Sequence, residues 1–243
     1  MIRREKGYEP CFYGIGVGPG DDAWITIEAK TLIEKMDLLI LPGRDRDSCR
    51  AYQIVKTSIA GMNEKECVFV PFPMSLEEPA LSEFHNCLAE NVMKMLDEGK
   101  QVGFLTIGDP CIYSTFDYIE RIVSLAGYKT NYVSGIPSFC AAAAKLGIPL
   151  AVGDEQMHVI PGNADIVEAL QLDGTIIFMK AGKHMAELKA FLIKEEEKGR
   201  LDVRAVSNCG MEDECICLGA KSLPDDNRYF TVVICRKVKR GSL

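Results

Sequence analysis

The alternation of short apolar runs with amphipathic segments is the feature that most restricts the fold of this chain. The apolar runs fit buried strands and the segments between them have the period of a helix. The strand candidates are CFYGIGV, DLLILP, CVFVPF, QVGFLTIG and KTNYVSG, and the helix candidates are DDAWITIEAKTLIEKM, EFHNCLAENVMKMLDEG and STFDYIERIVSLAG. A β-α-β-α order predicts a parallel sheet with helices on both faces.

The pattern changes in the second half of the chain. GTIIFMK and DVRAVSN fit strands on either side of a charged helix, HMAELKAFLIKEEEKG. ECICLGA and YFTVVICRKV then follow each other across a turn region, KSLPDDNR, which predicts that they pair antiparallel. We therefore expect an α/β fold of two αβα domains, with a mainly parallel sheet in residues 1–150 and a mixed sheet in 151–243.

The stretch FYGIGVGPGDD is rich in glycine directly after the first strand candidate. It does not match the dinucleotide-binding pattern, because the third glycine of G-x-G-x-x-G falls on Pro19 or Asp21. It does not match a Walker loop either, since no G-K-[ST] follows. The pattern predicts a tight glycine turn and then a helix capped by Asp21 or Asp22, so this loop is not expected to bind phosphate. A plain strand-to-helix turn is the alternative.

Composition and charge limit the class of protein. Of the 243 residues, 47% are hydrophobic, but no apolar run is long enough for a membrane span. The ten cysteines are scattered and lack C-x-x-C pairs, which predicts reduced thiols and a cytoplasmic location. The cluster Cys209, Cys215 and Cys217 has no neighbouring histidine, so we expect no metal site there. The net charge of −7 disfavours a nucleic-acid-binding surface.

The stretch LTIGDPCIYSTF joins a strand candidate to a helix candidate. In an open parallel sheet it lies at the carboxyl edge, where such folds bind ligands. Gly108 permits close approach of a backbone, and Asp109 brings an acceptor carboxylate. A ligand with hydroxyl groups or a positive charge fits this loop better than a phosphate. A β-turn without a ligand is the alternative.

A third stretch, VSGIPSFCAAAAKLGIPL, predicts a helix with Pro137 in its first turn. The alanines at 141–144 allow close packing, and Gly147 followed by Pro149 ends the helix. By itself this pattern indicates close packing and no particular function.

Together and in this order, GPGD, GDP followed by YS, and GIPS-AAAA-LGIPL resemble the tetrapyrrole methyltransferases, S-adenosylmethionine enzymes of cobalamin and sirohaem synthesis. The resemblance runs over essentially the whole chain. The segment SCRAYQIVK followed by VPFPMS is most similar to the members that methylate C(20) of precorrin-2 or cobalt-factor II.

The resemblance implies a class III methyltransferase fold, with S-adenosylmethionine in the cleft between the two domains. It implies a small-molecule tetrapyrrole substrate, a homodimer, and no metal site in the protein, since a cobalt-bearing substrate brings its own metal. It identifies no catalytic residue. The cofactor contacts that it implies are Pro19, Ile107, Gly108, Asp109, Ile112, Pro137, Ser138, Met179 and Gly210, with Cys209 as the alternative to Gly210.

Three arginines in PGRDRDSCRAYQIVK are the candidate substrate ligands: Arg44, Arg46 and Arg50. The implied substrate carries eight carboxylates, and guanidinium groups pair bidentately with carboxylates. A solvated loop is the alternative. Lys180, Lys183 and His184 are second candidates for the same role, with surface positions as their alternative.

Other functions remain open at this point. The same fold serves methylation at other corrin positions, diphthine synthesis and ribosomal RNA methylation, and a module that binds a tetrapyrrole without turnover is a further alternative. The sequence pattern leaves open whether the substrate carries cobalt. The mismatch to the dinucleotide pattern disfavours a dehydrogenase.

Overall fold

A computed structural model describes residues 9–73, 77–225 and 230–238. These residues form two compact units, which divide between Pro137 and Ser138. In the first unit all strand pairs are parallel, as predicted, in the order β3-β2-β4-β1-β5. The strands are β1 Cys11–Gly16, β2 Leu38–Pro42, β3 Glu66–Val70, β4 Val102–Thr106 and β5 Lys129–Val133. The helices are α1 Ile27–Lys35, α2 Arg50–Val55, α3 Ala80–Asp97 and α4 Phe116–Leu125.

Helices cover both faces of this parallel sheet. Apolar residues of α1 and α2 pack with Ile15, Leu39 and Leu105 on one face. Residues of α3 and α4 pack with Phe12 and Phe104 on the other. The neighbouring strands β1 and β4 therefore lead to helices on opposite faces. Such a point, where the direction of the connections reverses, is where open α/β sheets form a ligand-binding crevice at the carboxyl ends of their strands.

The start of α1 differs from the sequence prediction. Asp21 caps only a single 3-10 turn, Asp22–Trp24, by accepting a hydrogen bond from the Ala23 amide at 2.9 Å. The chain is extended at Ile25 and Thr26, and the Thr26 hydroxyl accepts from the Ala29 amide at 3.1 Å to begin α1. The prediction that Asp21 or Asp22 caps this helix is therefore wrong. The Asp22 carboxylate instead accepts from the Thr57 hydroxyl at 2.6 Å.

The longest of the described helices, α3, shows how amphipathic patterning fixes an element. Its buried side includes Leu88, Val92 and Leu96 and faces the sheet. The helix ends where predicted, at Gly99, whose φ of 79° suits the left-handed turn after a helix. Within the described ranges, no helix combines the length and apolar character needed to cross a membrane.

The second unit has a mixed sheet, as predicted, in the order β6-β7-β10-β8-β9. β6 and β7 are parallel, and the other neighbours are antiparallel. The strands are β6 Met157–Pro161, β7 Thr175–Met179, β8 Leu201–Ser207, β9 Cys215–Leu218 and β10 Thr231–Lys237. The helices are α5 Ser138–Leu146, α6 Ile166–Ala169 and α7 Met185–Glu197.

Two features of this unit differ from the expectation. The predicted pairing of ECICLGA with YFTVVICRKV is wrong, because β9 pairs with β8 while β10 lies between β7 and β8. Residues 231–235 of β10 are all buried, so a central position with a neighbour on each side suits this strand. The helix α5 packs against β8 and β10, so it belongs to the second unit although the predicted boundary lies after residue 150. Residues 226–228 of the predicted turn lie outside the described residues.

Candidate functional site

The loops after β1 and β4 are joined to each other by backbone hydrogen bonds. The Gly108 amide donates to the Gly18 carbonyl at 2.8 Å, and the Gly18 amide donates to the Gly108 carbonyl at 3.3 Å. Both residues have positive φ, 76° and 79°, a region that glycine enters without steric cost. The two loops therefore form one paired structure at the point where the connections reverse.

Gly16 and Gly135 allow the ends of β1 and β5 and the loop after β4 to approach more closely than side chains would permit. A Cβ on Gly16 would lie 2.6 Å from the Gly108 carbonyl oxygen and 2.5 Å from the Gly135 nitrogen. A Cβ on Gly135 would overlap the Gly108 oxygen and lie 2.8 Å from the Gly16 carbonyl carbon. The carboxyl edge of this sheet is therefore built from backbone. The sequence pattern does not single out Gly16 and Gly135 as site residues, and their position at strand ends is the one local signal for them.

Asp109 connects the loops that follow β4 and β5. Its side chain is buried, and one carboxylate oxygen accepts from the Cys111 amide at 2.8 Å. The other accepts from the Gly135 amide at 3.1 Å. The sequence predicts that this carboxylate faces a ligand. In the structure it holds two loops together, so its first role is to position them.

The segment between β4 and α4 is fixed at both ends. After Asp109, the Ser114 hydroxyl donates to the Thr106 hydroxyl at 3.1 Å and accepts from the Phe116 amide at 3.2 Å. The fully buried Phe116 ring lies directly over Gly14, where a Cβ would be 2.8 Å from the ring carbon Cγ. Between these anchors, Tyr113 has a φ of 51°.

The remaining predicted cofactor residues of the first unit lie on the same joined loops. Pro19 follows Gly18 and is buried. Ile107 and Ile112 flank the Gly108–Asp109 turn and are half-buried, as is Pro137, two residues after Gly135. The structure therefore brings the first-unit members of the predicted set to one edge of the sheet.

The arginine-containing segment after β2 lies at this edge too, because all five strands are parallel. It is an ordered turn. The Gly43 amide donates to the Val70 carbonyl at 2.9 Å, and one Asp45 carboxylate oxygen accepts from both the amide and the hydroxyl of Ser48 at 2.8 Å. These bonds from Ser48 lower the pKa of Asp45 below its usual value.

This turn places the three arginines differently. Arg44 and Arg46 are exposed, whereas Arg50 is half-buried as the first residue of α2. The Arg46 guanidinium lies over the Tyr52 ring, 5.5 Å from its centroid. Arg44 and Arg46 are therefore consistent with the solvated-loop alternative, although Arg46 also stacks on Tyr52, whereas Arg50 is partly enclosed.

In the second unit, Met179 and Gly210 lie at the edge where β7 and β8 end. These strands run in the same direction, since each is antiparallel to β10. Met179 is the last residue of β7 and is half-buried. The next residue, Lys180, has a φ of 56°, and local desolvation lowers the pKa of its ammonium group although the residue as a whole is exposed. Gly162 packs on this turn so closely that a Cβ would lie 2.6 Å from the Ala181 nitrogen.

Gly210 lies in the turn that follows β8. Its φ is 77°, and its amide donates to a Glu214 carboxylate oxygen at 2.6 Å. Burial raises the pKa of the neighbouring Cys209 thiol to about 11, which makes this thiol unreactive at neutral pH. Ser138, the other predicted second-unit residue, is the first residue of α5.

The histidines and cysteines do not form a metal centre within the described residues, where no three His, Cys, Asp or Glu side chains are arranged to hold an ion. His85 is buried in α3, and its ring stacks on Tyr118 with 5.0 Å between centroids and 6° between planes. The His158 Nε2 atom lies 3.0 Å from the Asp173 carbonyl oxygen.

The sequence model of the Tetrapyrrole (Corrin/Porphyrin) Methylases matches residues 11–220. The chain belongs to this family. Among the relatives of this methylase is the probable cobalt-precorrin-2 C(20)-methyltransferase of Methanocaldococcus jannaschii, 32% identical, with 94% of this chain and 96% of the relative covered. Another is the cobalt-precorrin-2 C(20)-methyltransferase of Salmonella typhimurium, which is 31% identical over 74% of this chain and 76% of the relative. The precorrin-2 C(20)-methyltransferase of Sinorhizobium sp is 25% identical over 91% of this chain and 93% of the relative.

Solved structures show that the fold of the methylase is shared. A cobalt precorrin-4 methyltransferase matches with a TM-score of 0.73 at 19% identity, covering 93% of this chain and 94% of that one. A second match is the uroporphyrin-III C-methyltransferase of Thermus thermophilus in complex with S-adenosylhomocysteine. Its TM-score is 0.67 at 17% identity, and the match covers 93% of this chain and 96% of that one.

Proposed function

We propose that this methylase transfers a methyl group from S-adenosylmethionine to C(20) of precorrin-2 in cobalamin biosynthesis. The observation that carries the proposal is the match, over nearly the full length of both chains, to a relative named for this position of the ring. The relatives from Methanocaldococcus jannaschii and Salmonella typhimurium are both named for the cobalt-bearing substrate, which favours that form for this chain.

The residues at the first-unit edge suit S-adenosylmethionine better than they suit a nucleotide phosphate. The predicted contacts there are backbone, proline and isoleucine together with one carboxylate, Asp109, and they include no lysine or arginine. Such a set fits a ligand that carries a cationic sulfonium and hydroxyl groups, and it repels a phosphate. When bound, S-adenosylmethionine supplies an activated methyl group on sulfur.

The contribution of the chain is then to orient the reactants and to exclude water. The paired Gly18 and Gly108 loops and the Asp109 bonds to the Cys111 and Gly135 amides form a prearranged edge. Holding two reactants in line in this way contributes up to about 7–11 kcal/mol in favourable cases. The transfer adds a methyl to a ring carbon and removes a proton from it, so a rigid edge is more useful here than a strong nucleophile.

The three arginines are proposed to bind carboxylates of the substrate. Arg50→Glu should raise the KM for the tetrapyrrole by roughly 10- to 100-fold, the range expected for one charged hydrogen bond. The affinity for S-adenosylhomocysteine should not change. Arg200→Glu is the matched control, since Arg200 is an exposed arginine just before β8 in the second unit. Equal loss of both affinities in Arg50→Glu would remove this assignment.

The remaining predictions about the site and assembly are proposals of the same kind. Met179, Gly210 and Ser138 are proposed to contact the cofactor, and Met179→Ala should weaken S-adenosylhomocysteine binding measured by calorimetry. We also expect a cytoplasmic homodimer, and sedimentation equilibrium of the purified chain tests its mass. A monomer at micromolar concentration would contradict the dimer without affecting the proposed reaction.

The test of the function is an anaerobic assay with methyl-labelled S-adenosylmethionine, in which precorrin-2 and its cobalt complex are offered separately. Mass spectrometry should find one added methyl, and carbon NMR should place the label on C(20), with faster turnover of the cobalt form. Label at another ring carbon would contradict the assigned position. Binding of the cofactor without methylation of either compound would contradict the assigned substrate.

A further inference from the structure

The backbone of Tyr113 is in a conformation that a bulky residue rarely adopts. Among the described residues other than glycine, Tyr113, Lys180 and Asn208 have positive φ, and each lies in a turn after a strand. Asparagine tolerates this region through its short polar side chain, whereas tyrosine does not. Strain of this kind persists where the surrounding structure enforces it, and it is concentrated at functional sites.

Hydrogen bonds on both sides of Tyr113 enforce this backbone conformation. On one side, Asp109 accepts the Cys111 amide at 2.8 Å, and its carbonyl accepts the Ile112 amide at 3.2 Å. On the other side, Ser114 is tied to Thr106 at 3.1 Å. The Tyr113 side chain between them retains 40% of its surface exposed. The loop therefore keeps an aromatic ring at the carboxyl edge, although a glycine at this position would relieve the strain.

The chemistry of the same loop indicates what the ring could contact. Both oxygens of Asp109 already accept backbone amides, which offsets part of the negative charge that would attract a cation. Its neighbours Pro110, Cys111 and Ile112 carry no charge, and local desolvation and the adjacent Asp109 carboxylate raise the pKa of the Cys111 thiol, so this thiol stays neutral. The ring of Tyr113 remains as a group in this loop that attracts a cation through its electron-rich face.

We infer that the ring of Tyr113 contacts the sulfonium of S-adenosylmethionine and favours this charged methyl donor over its neutral product. The inference rests on the proposed function. It assigns Tyr113 to selecting and positioning the cofactor: the ring would stabilise the donor before transfer and would contribute less to holding S-adenosylhomocysteine afterwards. A side chain that merely packs against the adenosine moiety would stabilise both ligands equally.

The test compares the affinities for S-adenosylmethionine and S-adenosylhomocysteine by isothermal titration calorimetry, without a tetrapyrrole. Tyr113→Leu removes the aromatic face but keeps an apolar side chain, and Tyr113→Phe keeps the ring. We expect Tyr113→Leu to bind S-adenosylmethionine roughly 2- to 30-fold more weakly, the range of one cation–π contact, with S-adenosylhomocysteine binding unchanged. Tyr113→Phe should keep the wild-type ratio of the two affinities.

Tyr113→Gly covers the case in which leucine disturbs the loop, because glycine adopts the left-handed backbone without strain. It should lower the affinity ratio as Tyr113→Leu does. Equal weakening of both ligands in Tyr113→Leu and Tyr113→Gly, or no weakening of either, would overturn the inference. In those cases the wild type still binds both ligands and the proposed function stands. A wild-type protein that binds neither would overturn both.

Discussion

Gly135→Ala is the substitution that most directly tests whether the carboxyl edge depends on backbone contact. Gly135 has no positive φ, so alanine is compatible with its backbone conformation. The added Cβ, however, would overlap the Gly108 carbonyl oxygen and lie 2.8 Å from the Gly16 carbonyl carbon. Both neighbours are backbone atoms of strand ends and cannot rotate away. The loop after β5 must therefore move off the loops after β1 and β4.

The expected loss of stability has two contributions. Overpacking against groups that cannot move costs about 1–3 kcal/mol. Moving the loop also lengthens the bond from the Gly135 amide to Asp109, now 3.1 Å, and a hydrogen bond to a charged group contributes about 1.5–3 kcal/mol. The unfolded chain loses entropy when glycine becomes alanine, which offsets about 0.4–1 kcal/mol. The net expectation is a decrease of about 2–5 kcal/mol in the free energy of unfolding.

Urea unfolding measures this change, with two probes followed in parallel. Far-UV circular dichroism follows the whole chain, and the fluorescence of Trp24, the single tryptophan, follows the first unit close to Gly18. Gly103→Ala is the matched control. Its φ is also ordinary, but the atoms nearest to its Cβ belong to side chains and not to the backbone: Leu39 Cδ2 and Met36 Cγ at 3.0 Å and Ile15 Cδ1 at 3.1 Å. These side chains can shift by a few tenths of an ångström, so we expect a loss at the lower end of the overpacking range, about 1 kcal/mol.

Comparison of the two variants shows whether the site depends on the close approach of the three strand ends. If Gly135→Ala is as stable as Gly103→Ala and binds S-adenosylhomocysteine as the wild type does, the close approach of the three strand ends is not required. If Gly135→Ala is destabilised in circular dichroism while the Trp24 signal is unchanged, the disturbance does not reach the loop after β1, and the three loops are not one structure.

Two further predictions concern buried titratable groups. Asp109→Asn should lower the free energy of unfolding by about 1.5–3 kcal/mol and weaken S-adenosylhomocysteine binding. The reason is that an amide side chain can accept only one of the hydrogen bonds from the Cys111 and Gly135 amides well. Unchanged values in urea unfolding and in calorimetry would contradict the positioning role. Burial lowers the pKa of His85, so the unfolded chain binds a proton there at higher pH than the folded one. The contribution of His85 to stability is therefore complete above about pH 6.5 and is lost as the pH falls. When the pH is lowered from about 7.5 to about 5, the free energy of unfolding measured in urea should fall less for His85→Phe than for the wild type. Equal decreases would contradict the assignment of this pH dependence to His85.

The parts of the fold that could be predicted from the sequence are those fixed by local patterning. Alternation of apolar runs and amphipathic helices identifies the parallel sheet, because strands buried on both faces require that composition. The pairing of β9 and β10 could not be predicted in this way. Strands that are neighbours in the chain usually pair, but here the buried strand β10 lies between β7 and β8, and only its partners across the sheet reveal this. Similarly, Asp21, Asp22 and Thr26 are all good caps, and the extended backbone at Ile25 decides among them.

The candidate site shows the same division between local and non-local information. Gly108 and Asp109 could be predicted because a strand, a turn and a helix follow one another directly there. Gly16 and Gly135 could not, since each is an ordinary turn glycine in its own segment. Their importance depends on the order β4-β1-β5, which brings the ends of these three strands together.

The sequence predicts Asp109 as a ligand-facing carboxylate, and the structure shows a positioning role for it. A carboxylate after a strand suggests a group that meets the ligand, and here both of its oxygens accept backbone amides of the loops. The two roles are related, because a wall made of backbone has no side chains to fix its shape and needs a charged acceptor to hold it. The same requirement explains why the edge is rich in glycine yet contains a strained tyrosine. Where the loops are held this firmly, the backbone sets the shape of the site, and an exposed side chain such as the Tyr113 ring is the group proposed to select what it binds.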